Sequence, residues 1–160
     1  MTVVFRHHEK LEVNRVEYYG SISFAELRAL ADFQATNPSL LTYDCLTVVT
    51  ATADFRAIDL ATLDDLFAKY RALFQPLSFL ILRRSAWLNF SPSAQAHVDY
   101  WVRGRDAKGG MSSDVRQFDS YEAAGEWLVL NPRDLATLKL GEGFKELARY
   151  TIPPEPALAR

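Results

Sequence analysis

DVRQFDSYEAAGEWL, residues 114–128, is the stretch whose reading decides the fold class. Val115 to Phe118 has the β-branched and aromatic make-up of a short strand. Asp119-Ser120 supplies a helix start, and the residues that follow form an amphipathic helix anchored by Trp127. A strand passing directly into a helix is the repeating unit of an α/β protein. The rest of the chain repeats that unit.

Toward the N-terminus, TVVFR (2–6) and VNRVEYY (13–19) are strand-like runs separated by a polar segment, which predicts an opening antiparallel pair. Ser23 followed by Glu26 is a capping box, so a first helix begins there with Phe24, Leu27, Leu30 and Ala31 on its apolar stripe. Asn37-Pro38 stops it, because a residue before proline is pushed out of helical geometry. LLTYDCLTVV (40–49) follows as a strand, TATADFRAID (50–59) as a loop, and Asp59 as the N-cap of a second helix. That helix carries the clearest stripe in the chain: Leu60, Leu63, Leu66, Phe67, Tyr70, Leu73 and Phe74. Pro76 breaks it. LSFLIL (77–82) then reads as a central parallel strand covered on both faces, ended by Arg83 and Arg84. Ser91-Pro92 opens a third helix running to about Arg105, with Val98, Trp101 and Val102 inward. DAKGGMSSD is the connector to the strand of the opening stretch. Beyond Leu130, residues 131–150 read as a helical extension interrupted by Gly141 and Gly143, and 151–160 as a mobile proline-rich tail.

A chain of 160 residues is about one domain. Its 18 basic and 20 acidic residues leave a net charge of −2, so no global field exists to hold a polyanion, and nucleic acid is not an expected partner. The single cysteine, Cys45, excludes an internal disulfide and suits a reducing compartment. With no apolar run near the ~20 residues that span a bilayer, the expectation is a cytoplasmic protein without a membrane span.

The element order, with Tyr19-Gly20 before the first helix, Tyr43-Asp44 in the third strand, and Phe118, Ser120, Glu122, Ala124, Trp127 and Leu128 at the close, resembles the SpoIIAA-like, or STAS-like, group of small α/β proteins over residues 2–130. The resemblance implies a mixed four- to five-stranded sheet with helices mainly on one face. It also implies a role in protein–protein regulation or small-ligand sensing rather than catalysis. Anti-sigma-factor antagonists of that group carry a phosphorylatable serine where the second helix begins. Here that region reads FRAIDLATLDD (55–65), with Asp59 at the helix start and Thr62 the only nearby hydroxyl. A negative charge already sits where phosphorylation would add one, so the serine switch is not expected.

No catalytic constellation, metal cluster or cofactor motif emerges. His7 and His8 are adjacent and point to opposite faces of a strand, His97 is distant, and Asp64-Asp65 lie off the apolar stripe of their helix. Cys45 has no neighbouring histidine and reads as core. The glycines at 109 and 110 lack phosphate-loop spacing. In open α/β sheets, ligands bind in the crevice beyond the strand ends, and Arg83, Arg84, Ser85 and Trp87 are placed there, near the loop bearing Asp54, Arg56 and Asp59. Adjacent arginines suit a carboxylate or phosphate. Two readings follow. One is a non-enzymatic regulatory module that binds another protein through those seven residues, with residues 131–150 covering either its own sheet or the second subunit of a homodimer. The other is a carrier or sensor of a small apolar or anionic ligand held between the sheet and the helix of residues 59–74, with some of Tyr18, Tyr19, Phe90, Tyr100 and Trp101 lining the space.

Overall fold

The computed structural model describes residues 2–77, 83–107 and 113–152. Its strands are β1 (Thr2–His8), β2 (Val13–Tyr19), β3 (Asp44–Val49), β4 (Arg83–Asn89), β5 (Ser113–Phe118) and β6 (Lys145–Tyr150). The helices are α1 (Phe24–Thr36), α2 (Leu63–Phe74), α3 (Gln95–Ala107), α4 (Tyr121–Trp127) and α5 (Pro132–Leu140). All six strands form one mixed sheet in the order β5-β4-β3-β2-β1-β6. β2 to β5 run parallel, β1 is antiparallel to β2, and β6 is antiparallel to β1.

That order explains the layers. The three crossovers through α1, α2 and α3 each advance one strand in the same direction. Because such connections are right-handed, all three helices must land on one face. They do, enclosing a core with Val16, Tyr18, Cys45, Val49, Trp87 and Val115 from the sheet. The chain then changes face: Ala124 and Leu128 around α4, Leu138 of α5 and Phe144 pack on Val13, Leu46, Val48, Ala86 and Leu88. Both faces of β3 and β4 are thus covered, which is why five consecutive residues of β3, Cys45 to Val49, are all buried.

Local signals place the helix starts. Glu26 accepts from the backbone N–H of Ser23 at 2.8 Å, Ser120 Oγ accepts from the Ala123 N–H, and Asn131 Oδ1 accepts from the Asp134 N–H. α5 closes on Gly141 at φ 74°, a left-handed position suited to glycine.

Several expectations are corrected. The sheet has six strands among the described residues, not four or five; the three longest helices share one face as expected, and α4 and α5 lie on the other. Residues 131–150 are not wholly helical: after α5 the chain returns as β6 along β1 and completes the same sheet. β3 begins at Asp44, because Pro38–Thr42 is a 3-10 turn that buries Leu41 in the core. Asp59 precedes a 3-10 turn, Leu60–Thr62, without a side-chain cap bond, and α2 starts only at Leu63. Ser91 Oγ likewise does not cap a helix; it donates to the Ala53 carbonyl at 2.6 Å. Residues 78–82 of the expected central strand, the glycines at 109 and 110, and 153–160 of the tail lie outside the described residues. The fourth strand of the sheet is Arg83–Asn89, so Arg83 and Arg84 begin it rather than end it.

Candidate functional site

That last correction divides the expected crevice. Along β4, Arg83 and Asn89 are about 20 Å apart at a strand's rise of ~3.3 Å per residue. The arginines therefore lie at the end of the parallel strands opposite the loop that bears Asp54, Arg56 and Asp59. At the loop end, Asp54 and Arg56 pair with each other at 2.6 Å, and the Arg56 side chain is 74% exposed. Hydrogen bonds from Arg56 hold the Asp54 carboxyl down to about 2. The backbone of Asp54 is stitched to the Gly20 carbonyl and the Ile22 N–H, and Asp59 is exposed. At the other end Arg84 is committed to structure. Its backbone N–H and Nη2 both donate to Asp44 at 2.8 Å, and its Nη1 donates to the Trp127 carbonyl.

Arg83, Ser85 and Trp87 share the opposite side of β4, under α1 to α3. There they line a cavity of about 70 Å3 between sheet and helices, several times the ~10–15 Å3 that one water needs. Its floor is set by register. Cys45 lies beside Ser85 and Thr47 beside Trp87 on β3 and β4, with Val16 and Tyr18 on β2. Cys45, Thr47 and Ser85 are small, so the centre of the floor leaves space that the larger residues around it enclose. The helices supply Leu27, Leu30 and Gln34 from α1, Leu63, Leu66 and Tyr70 from α2, and His97, Val98 and Trp101 from α3. Tyr70 donates to the Gln34 side-chain oxygen.

The loop between β3 and α2 closes the side nearest Asp54. Phe55 of that loop reaches the cavity, stacks on His97 at 6.0 Å and meets Tyr18 edge-on at 5.3 Å. His97 Nε2 bonds the Ile58 carbonyl at 2.6 Å. A carbonyl only accepts, so Nε2 carries a proton and donates to it.

In the lining, Arg83 Nε, Trp87 Nε1 and His97 Nδ1 are buried without a hydrogen-bond partner among the described residues. Arg83 is 5% exposed and Trp87 8%. The Arg83 guanidinium lies over the Phe74 ring, 5.1 Å from its centroid, a cation–π contact that offsets only part of the cost of burying a charge. The described lining includes no Asp or Glu.

Of the seven expected site residues, the structure brings Arg83, Ser85 and Trp87 together and leaves Asp54, Arg56, Asp59 and Arg84 outside the cavity. Of the aromatic residues considered for such a space, Tyr18 and Trp101 line it, and Tyr19, Phe90 and Tyr100 do not. Sequence reasoning missed Gln34, Thr47, Phe55 and His97. The available signal was Thr47 and Ser85, small polar residues at inward positions of central strands where large apolar ones are the rule. No protein-family model, curated protein or solved structure matches this chain. No helix among the described residues is long and apolar enough to cross a membrane.

Proposed function

We propose that the chain is a non-enzymatic carrier or sensor that holds a small apolar or anionic molecule between its sheet and helices α1 to α3. The observation that carries this reading is the pair of donors Arg83 Nε and Trp87 Nε1, on side chains more than nine-tenths buried and without a hydrogen-bond partner among the described residues, at the wall of an otherwise largely apolar cavity. A buried donor without a partner costs about 1–3 kcal/mol. A binding site recovers that cost when its ligand arrives, and apolar pockets with a few placed polar groups are the general form of small-molecule sites. A reducing, cytoplasmic setting fits the single buried thiol, Cys45.

The alternative, a regulatory module that grips a protein partner through one crevice, draws less support. It needs Asp54, Arg56 and Asp59 to act with Arg83 and Arg84, and these stand at opposite ends of the sheet. The resemblance to STAS-like proteins accommodates either role.

Native mass spectrometry tests the ligand reading. Protein purified gently from its own cells should show a stoichiometric extra mass of a few hundred daltons or less that disappears on denaturation. A bare chain, together with no thermal shift across a panel of small acids and apolar compounds, would count against it.

A further inference from the structure

The polarity of the cavity narrows the class of ligand. Arg83 Nε and Trp87 Nε1, on side chains more than nine-tenths buried and without a hydrogen-bond partner among the described residues, are both donors. Arginine does not deprotonate in proteins, so Arg83 presents a permanent positive charge. On the other face of the same strand ends, Asp44 is held by Arg84 at 2.8 Å and Asp114 by Arg116 at 2.9 Å. With no Asp or Glu in the described lining, this wall of the cavity attracts anions and rejects cations.

We propose, on the basis of the ligand-binding reading above, that the cavity selects a small organic carboxylate, its anionic end on the Arg83 guanidinium and its apolar body along Trp87 and helices α2 and α3. The planar guanidinium matches a carboxylate in two parallel bonds, which a lysine would not. One buried cation balances one carboxylate charge. A phosphate group carries about −1.5 to −2 at neutral pH and would bring unbalanced charge into a wall built from Leu63, Leu66, Val98 and Trp101. The apolar lining in turn requires a body that prefers to leave water, so acetate and inorganic ions are poor fits.

Calorimetric titration of the full chain with benzoate and hexanoate, each against its neutral amide, and with inorganic phosphate, tests this. The expected result is that each carboxylate binds at least tenfold more tightly than its amide. Arg83→Met, which keeps length and the contact with Phe74 but removes the charge, should collapse that ratio to near one. Trp87→Phe should weaken both carboxylates several-fold. Amides binding the unaltered chain as tightly as the acids would overturn the carboxylate assignment and leave the ligand cavity standing. Phosphate binding more tightly than either acid would overturn it too. Failure of every probe, neutral and charged, would overturn the ligand reading itself. The acid-to-amide ratio of the unaltered chain decides the question even if Arg83→Met does not fold.

Discussion

Two glycines show how residue-level space sets tolerance. A Cβ on Gly104 would sit 2.5 Å from the Phe67 ring, which is stacked 4.4 Å from Trp101. A Cβ on Gly125 would meet the tip of Leu135, Cδ1, at 2.5 Å. Alanine gains roughly 0.5–1 kcal/mol over glycine inside a helix, whereas overpacking a rigid core costs about 1–3 kcal/mol. A leucine tip turns aside and a stacked ring does not. Gly104→Ala should therefore lower stability by about 1–2 kcal/mol and Gly125→Ala should be within about 0.5 kcal/mol of neutral, read as shifts in urea midpoint. Equal effects would contradict the packing described. Tyr19 provides a pH test. Burial, then its hydrogen bond to the Glu17 carboxylate, raises its phenol from 10.0 to about 12. A raised folded value means that the folded state keeps the proton longer. The stabilisation is thus whole below pH 10 and is lost as pH rises through 12. The stability gap between the unaltered chain and Tyr19→Phe should be constant up to pH 10 and narrow from there to 12, measured by urea unfolding at successive pH values.

At the scale of elements, β6 is the part whose importance the sequence conceals. It covers the outer edge of β1, whose Val3, Val4 and Phe5 are fully buried. Removing residues 145–160 should cost on the order of 3–5 kcal/mol, from lost ladder bonds and reopened apolar surface, and should expose a strand edge that invites association. A lowered urea midpoint with elution as larger species would bear this out; an unchanged midpoint and monomeric elution would refute it. KELARY hides its strand because Glu146 and Arg149 are spaced three apart and ion-paired at 2.8 Å, a helix-like signature, and because an edge strand tolerates exposed charge. The helices were legible for the opposite reason. The capping box at Ser23, the stripe of α2 and the Asn131-Pro132 start depend on neighbours in sequence alone. β4 misleads in a third way. RRSAWLN is less apolar than the LSFLIL before it, since Arg83 and Ser85 face a cavity rather than a packed core.

For the whole molecule, the order of strands decides which residues can act together. Parallel strands put Arg83 at one end of the sheet and Asp54 at the other, and no reading of the local sequence around either could show that. The α/β class and the sequence of crossovers could be inferred because they follow from alternation. The cavity could not, because its floor is assembled from Cys45, Thr47 and Ser85 across two strands by register, and its walls come from helices far apart in the chain. The central claim is that this space is a binding site. The chain's three tryptophans make it directly testable. Trp87 and Trp101 line the cavity, while Trp127 lies on the other face against Phe118 and Arg116. The measurement to make is the nitrogen–proton NMR spectrum of the three indoles during a titration with benzoate. Saturable shifts of the Trp87 and Trp101 signals, with Trp127 unmoved, are the predicted result. Three unmoved signals at millimolar benzoate, or movement of Trp127 alone, would contradict the account.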